Sequence, residues 1–279
     1  MRLGVDVGGT KIEAALVSED GKIINRIRTP TQDSKGRKVV INNILSVIKK
    51  LDKKNLSVVG LSIAGVIDEK GVLSCPSNLK CLEGVNVAKE LERSFGKKVL
   101  QENDANCFVL AEYKIGAARG YKNVVGIILG TGIGGGIIIN RKLYKGKTGG
   151  AGEFGHTVIS ANKDFETLCS GPGIVRRYRD AGGKIKDPNP EKIFASKELI
   201  ARQVVEDTYN YFRIGFVNII NSLDPDIIVL GGGLSNLPLY SRLNREVKRY
   251  VIPALAKNVK IVKNKLGDSS GVIGAAFLH

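Results

Sequence analysis

The sequence predicts an α/β fold made of two related halves that face a shared cleft. The chain opens with strand, glycine-rich turn and strand in "LGVDVGGTKIEAALV", and "NVVGIILGTGIGGGIIIN" repeats that order in its second half. Later in each half a short apolar run meets small residues, "SVVGLSIAGV" in the first and "DIIVLGGGLS" in the second. Helical stretches separate these strand patterns, and such alternation is the mark of α/β architecture.

Taken in order, "LGVDVGGTKIEAALVSEDGKIINRIRT" gives strand, glycine-rich turn, strand, a polar turn at Glu19-Asp20-Gly21 and a third strand, which is an antiparallel meander. Val40, Ile44, Val47, Ile48 and Leu51 then recur at helical spacing, and "SVVGLSIAGVI" returns to a strand. Helices are predicted over 86–96 and from Asp104 to Ala118, with "KKVLQEND" as the strand between them. In the second half "NVVGIILGTGIGGGIIINRKLYKG" repeats strand, turn, strand and polar turn. "ASKELIARQVVEDTYNYFRIGFVNIINSLDPD" predicts one long helix with Ser196 as N-cap and Asp224-Pro225 as its stop. A helix near 237–252, a strand in "VKIVKNKL" and a closing helix in "SGVIGAAFL" complete the chain. The halves divide near "GAARGYK", residues 116–122, giving lobes of 1–117 and 118–279, with the last helix, 270–279, crossing back onto the first lobe. Ligands usually bind in clefts between such units.

At 279 residues and 43% hydrophobic content the chain can bury a sizeable core. "MRLGVDVGGTK" runs directly into a strand pattern with no charged leader and apolar core, and no apolar run approaches the ~18 residues of a membrane span, so a cytoplasmic protein is expected. Cysteines at 75, 81, 107 and 169 form no CxxC pair, which favours buried thiols over a disulfide framework or a Cys-rich zinc site. The 43 Lys+Arg against 27 Asp+Glu give a net charge of +16, which attracts polyanions without naming one. Much of that charge lies in "KKLDKKN" and "KNVKIVKNK", where a solvated surface is the ordinary reading. One Met, no Trp and abundant Lys point toward a hot-adapted source.

Candidate chemistry gathers at the glycine turns. In "DVGGT" an Asp, depleted in strands, sits at a strand end before Gly8 and Gly9, where backbone N–H groups and the Thr10 hydroxyl can meet phosphate oxygens. A tight hairpin that tolerates Asp explains the same residues equally well. "LGTGIGGG" has this ambiguity too; it lacks the GK[ST] of a Walker A loop and the following helix of a dinucleotide fingerprint. "GGGLS" is a third such turn and leads toward a helix, whose N-terminus favours anions. Three turns of this kind in one chain favour a phosphate ligand. In "QENDANCFVLAE" Asp104 has two readings, a helix N-cap or a general base that takes the proton of a sugar hydroxyl.

"DVGGTK", "NDAN", "LGTGIGGG", "GEFGH" and "LGGG", in this order and spacing, resemble the ROK family of sugar kinases and repressors across nearly the whole chain. The resemblance implies the two-lobed, actin-like ribonuclease-H fold and, for the kinases, transfer of the terminal phosphoryl group of ATP to a hexose with Mg2+. It implies Asp104 as the base, with Asn103 and Asn78 at the sugar. Asp6, Gly8, Gly9, Thr10 and Lys11 resemble the first phosphate motif, with Asp6 holding magnesium through water. Thr131 and Gly132 resemble the second motif, and Gly232 and Gly233 the nucleotide-side turn. Glu153 and His156 match the family's sugar-binding pair, and Glu166 the Glu that follows its zinc cysteines.

Between His156 and Glu166, where most members carry a Cys-x-Cys-Gly-x-x-Gly-Cys run, this chain has "TVISANKDF". No structural zinc site is therefore expected, since Cys169 alone cannot replace three ligands. The expected activity is that of a glucokinase or broad hexokinase, with N-acetylhexosamine kinase or fructokinase as alternatives and a sugar-responsive regulator further off. "DVGGT" begins at residue 6 and leaves no room ahead of it for a helix-turn-helix, so no specific nucleic-acid partner is expected. A homodimer or larger homo-oligomer is expected, with no membrane partner.

Overall fold

A computed structural model describes every residue of the chain except 54, 55 and 77. β1 (Arg2–Val7) and β2 (Lys11–Val17) pair antiparallel across the first glycine turn, and β3 (Ile23–Pro30) completes the meander. β2 is buried on both faces beyond Lys11, with Glu13 the one charged side chain among its buried positions, whereas β3 lies at the sheet edge and mixes in Asn25, Arg26 and Arg28. Charge on an edge strand discourages pairing with other chains. α1 (Arg37–Leu51) buries Val40, Ile41, Ile44, Leu45, Val47, Ile48 and Leu51, the one apolar stripe its spacing dictates. Each such side chain contributes roughly 1.5–3 kcal/mol.

β4 (Val58–Ile63) runs parallel to β1, followed by a small hairpin of β5 (Val66–Ile67) and β6 (Leu73–Ser74). α2 (Val87–Phe95) is capped by Asn86, whose side chain accepts from Lys89 N at 2.9 Å, and ends at Gly96 in the left-handed conformation. β7 (Lys98–Asn103) then pairs parallel with β4, and α3 (Asp104–Lys114) follows without a break.

The second half repeats this plan with β8 (Val124–Leu129), β9 (Ile133–Ile139) and β10 (Lys142–Tyr144). Additional elements follow, β11 (Val158–Ser160), β12 (Lys163–Asp164), α4 (Phe165–Cys169), α5 (Gly171–Asp180) and α6 (Pro190–Ala195), before α7 (Leu199–Leu223), which leads into the next strand as α1 does in the first half. β13 (Ile227–Gly231), α8 (Tyr240–Lys248), α9 (Pro253–Ala256), β14 (Ile261–Lys263) and α10 (Ser270–Ala276) end the chain. The two five-stranded sheets have orders β3-β2-β1-β4-β7 and β10-β9-β8-β13-β14, the same arrangement twice. The larger core of the second half centres on Phe165, whose ring meets Phe212 and Phe216 edge-on at 6.0 Å.

α10 lies on the first sheet and against α3. Its backbone comes so close that a side chain at Gly4 would strike the Val272 carbonyl and one at Gly60 the Ala275 carbonyl.

Several elements differ from expectation. Ser196 does not cap the long helix: "EKIFA" forms its own helix, α6, started by the Asn189 cap and Pro190, and Ser196 closes it. The long helix begins at Leu199 behind Glu198. The third glycine turn leads into a 3-10 turn, Gly233–Asn236, rather than an α-helix, because Leu237 is held extended before Pro238. It therefore offers no helix dipole to an anion. The region predicted as one helix near 237–252 is divided, α8 ending at Lys248 and α9 beginning at Pro253. Cys107 and Cys169 are buried, but Cys75 is exposed and Cys81 half-buried.

Candidate active site

The site is built from the carboxyl ends of parallel strands, where α/β folds place their ligands. Asp6 on β1 lies in register with Ser62 on β4, and the Ser62 hydroxyl donates to Asp6 Oδ1 at 2.6 Å. β7 ends at Asn103, so Asp104 enters the same edge as the first residue of α3. Opposite, β8 and β13 run parallel and end at the second and third glycine turns. Between them lies a cleft of about 220 Å³ onto which Asp6, Gly8, Asp104 and Gly232 open. Ala64, Phe108 and Ile128 give it an apolar wall, and Asp268 in the turn before α10, with Ser270 and Gly271 at the start of that helix, closes it.

The glycines are used for close approach. Gly9 presses on Asn78, whose Cβ would stand 2.5 Å from any Cβ added there, so the exposed Asn78 sits against the first turn. The Gly8 N–H is committed to the hairpin, donating to Lys11 O at 3.0 Å, which corrects the expectation that it faces a phosphate. Thr10 and Lys11 are exposed at the tip. In the second turn Gly130 N donates to Gly132 O at 2.9 Å and leaves Thr131 exposed. Gly232, at φ 79°, packs on the Leu129 carbonyl, which sets the third turn beside the second, with Gly233 exposed next to it.

The two central carboxyls share an electrostatic field. Burial pushes Asp6 up to about 6; the charges of Asp104 and Glu13 add to that, while the Ser62 hydrogen bond and Lys11 oppose it. Burial also raises Asp104, against the backbone N–H of Ala105 and the Asn103 side chain. Asn103, not Asp104, is the helix cap: its Oδ1 accepts from Ala105 N at 2.9 Å and Asn106 N at 3.1 Å, and its amide donates to Gly65 O at 2.9 Å.

Residues 152–171 curve along the other side of the cleft. Glu153 precedes a 3-10 turn, Phe154–His156, and stands exposed at the rim. Partial desolvation raises its carboxyl, as do the nearby Asp104 and Glu166 charges, with His156 acting the other way. His156 is exposed, and its Nδ1 lies 3.6 Å from Asp164 Oδ2. Asp164 also caps α4, accepting from Thr167 N at 2.7 Å. Glu166 turns inward, where its Oε2 accepts from Ile133 N at 2.7 Å and so holds the second glycine hairpin. Asp104, Glu153, His156 and Glu166 are thereby brought together, while Cys169 faces away into the core. Among the described residues no group of three His, Cys, Asp or Glu could hold a metal ion.

Ser62, Asp268, Ser270 and Gly271 belong to this site and were not singled out from sequence. "GDSSG" before the closing helix carried the available signal: an Asp beside glycines at an element boundary, as in "DVGGT".

A profile of the ROK family matches residues 2–279. The chain is 32% identical to the glucokinase of Thermotoga maritima over 99% of its own length and 96% of that protein's. It is 34% identical to the N-acetyl-D-glucosamine kinase of Histophilus somni over 100% and 98%. A ROK family glucokinase from Streptomyces griseus, solved in complex with glucose and AMPPNP, superposes with a TM-score of 0.83 at 26% identity, covering 99% of this chain and 98% of that one. The chain belongs to the ROK family, and its two halves are the lobes of the two-lobed, actin-like α/β fold seen in that family's sugar kinases.

Proposed function

We propose that the protein transfers the terminal phosphoryl group of ATP to a hexose hydroxyl, with glucose as the preferred sugar. The observation that carries this reading is the placement of Asp104 and Asp6 on one cleft edge, facing two adjoining glycine turns on the other. The sugar lies among Asn78, Asn103, Glu153, His156 and Glu166. Its reacting hydroxyl gives its proton to the Asp104 carboxylate as the oxygen forms a bond to the γ-phosphorus, and the bond to the bridging oxygen breaks to release ADP. Burial raises the Asp104 pKa, which strengthens it as a base. Gly9, Thr10 and Lys11 on one side, with Thr131, Gly132, Gly232 and Gly233 on the other, hold the phosphates and nucleotide.

The residues suit a magnesium ion. Asp6 carries a desolvated carboxyl within the field of two other acids, and a divalent cation relieves that repulsion. Asp6 would hold the ion through water. When bound, the ion supplies neutralisation of charge on the phosphate oxygens. Lobes of 1–117 and 118–279, a cytoplasmic setting where ATP is plentiful, and a homodimeric or larger assembly are part of the same proposal.

Phosphorylation of an N-acetylhexosamine is the second reading, favoured by the 34% identity to the Histophilus somni kinase. ADP release measured with MgATP against a panel of hexoses and N-acetylhexosamines tests both. Glucose should give the highest kcat/KM. N-acetylglucosamine in first place selects the second reading, and no sugar above the water background refutes kinase activity.

A further inference from the structure

Glu112 is a fully buried acid in the last turn of α3, and the reaction described above gives it no part. Its carboxylate is satisfied by backbone rather than by a cation. Oε2 accepts from Ala117 N at 2.8 Å and Oε1 from Leu266 N at 2.9 Å, while Lys265 N reaches both oxygens at 3.2 and 3.1 Å. The Ser270 hydroxyl adds a longer contact at 3.3 Å. Among the described residues no Lys, Arg or His side chain forms an ion pair with it.

These donors come from two separate places in the chain. Ala117 lies where the chain leaves α3 for the second sheet, and Lys265 and Leu266 lie where it returns from β14 to α10 on the first. The chain passes between the sheets at these two points, and one carboxylate fastens both. The Glu112 carbonyl accepts from Gly116 N at 3.1 Å and Ala118 N at 3.0 Å, tightening the same knot. Gly116 has no side chain because a Cβ there would strike Glu112 Oε2.

The return crossing also forms one wall of the cleft. Leu266 directly precedes Gly267, Asp268, Ser270 and Gly271, which line it, and a Cβ at Gly271 would come within 3.1 Å of the Asp6 carboxyl. We infer that Glu112 is the pivot of the interlobe hinge, a positioning residue that fixes both crossings and aims the Gly267–Gly271 wall at the phosphate side of the cleft. Hinge residues commonly lie away from the chemistry and act on turnover. The sugar-side residues Glu153 and His156 hang from the second sheet through other contacts, so the pivot governs phosphoryl transfer more than sugar binding.

Glu112→Gln keeps the shape but turns an amide N–H toward backbone donors. Gly116→Ala leaves the carboxylate and pushes it aside. Among variants that fold, both should lower kcat by about 10- to 100-fold with the sugar Kd, measured calorimetrically, within about twofold of wild type. Glu112→Asp, which retains the acceptor, should recover part of the loss. A folded Glu112→Gln with unchanged kcat overturns the inference, as does a sugar Kd that weakens in step with kcat. Hydrogen exchange on the wild-type protein gives a readout that needs neither a folded variant nor kinase activity. Ala117, Lys265 and Leu266 amides should exchange slowly, and at equal rates with and without glucose and the non-hydrolysable ATP analogue AMPPNP. Exchange as fast as in exposed turns overturns the pivot even if the kinase reading holds, and protection in a chain without kinase activity upholds it alone.

Discussion

The Ser62 hydroxyl donates to Asp6 Oδ1 at 2.6 Å across the register that pairs these residues on β1 and β4. One hydrogen bond does not offset the burial of Asp6, whose pKa stands at about 6 against an ordinary 3.8. Between those values the folded protein holds a proton that the unfolded chain has released. Ligand-free stability should therefore fall as pH rises through that window and stay lower above it. Asp6→Asn keeps an acceptor for Ser62 and removes the charge. At about pH 7.5 in chelator it should gain up to roughly 2 kcal/mol, while kinase activity is lost. Melting curves against pH decide it: an Asn variant less stable than wild type above pH 6 contradicts the argument.

Asp104 tests the chemistry apart from the fold, because the cap belongs to its neighbour. Asp104→Asn should cut turnover by roughly 10²- to 10⁴-fold with little change in sugar affinity or melting temperature. Asn103→Ala should instead cost about 1 kcal/mol of stability, since Asn106 N loses its acceptor and Ala105 N keeps only Asp104 Oδ1 at 2.9 Å. Near-normal turnover in Asp104→Asn, with chemistry shown to be rate-limiting, rules out the base.

Glu166 links the sugar segment to the second glycine hairpin through Ile133 N. Glu166→Ala should raise KM for ATP as well as for the sugar, by about tenfold each, without unfolding the protein. A purely sugar-side effect would mean that the hairpin holds its shape unaided.

The repeated strand, turn, strand pattern made the doubled architecture legible, because apolar alternation and glycine turns are local properties of the chain. Asp6 was also visible, as an acid at a strand end, and Asp104 as an acid where a strand gives way to a helix, though each had a local reading as well; Glu153 stood out only through the family resemblance. Ser62 was not, because its role rests on the β1–β4 register, a pairing of residues far apart in sequence. Glu112 looks like any polar helix position until the return crossing is folded against it. The division between Asn103 and Asp104 was likewise hidden, since either residue type makes a good cap and only the backbone shows which one precedes the first helical residue. α6 was missed because its pattern runs into that of α7, although Asn189-Pro190 marks its start.

The net charge of +16 predicts only loose nucleic-acid binding. Affinity for duplex DNA should fall steeply between about 50 and 200 mM salt and show no sequence preference. Sequence-selective binding at physiological salt, altered by a sugar, would instead indicate a regulator.

The segment after His156 shows what stands in place of the family's cysteine run. "TVISANKDF" folds as the β11–β12 hairpin, turning at Asn162 with φ 62°, and Ile159 and Phe165 tie it into the second core. Apolar anchoring of this kind needs no metal. The His156 Nδ1 has Asp164 Oδ2 at 3.6 Å, a carboxylate placed to orient its imidazole. Burial works to raise Asp164, but its hydrogen bonds to Thr167 and His156 outweigh this and hold its carboxyl below the usual range. The protein should purify without stoichiometric zinc and keep its melting temperature in a strong chelator, since removing a structural zinc would unfold the loop. Asp164→Ser retains a capping oxygen for Thr167 N and removes the partner of His156. Sugar KM should then rise roughly threefold to tenfold, as expected for the loss of an exposed polar contact worth about 1 kcal/mol, with stability nearly unchanged. One tightly held zinc per chain by metal analysis, or a melting temperature that falls in chelator, would sink this account of the loop. An unchanged sugar KM in Asp164→Ser would remove Asp164 from the orientation of His156.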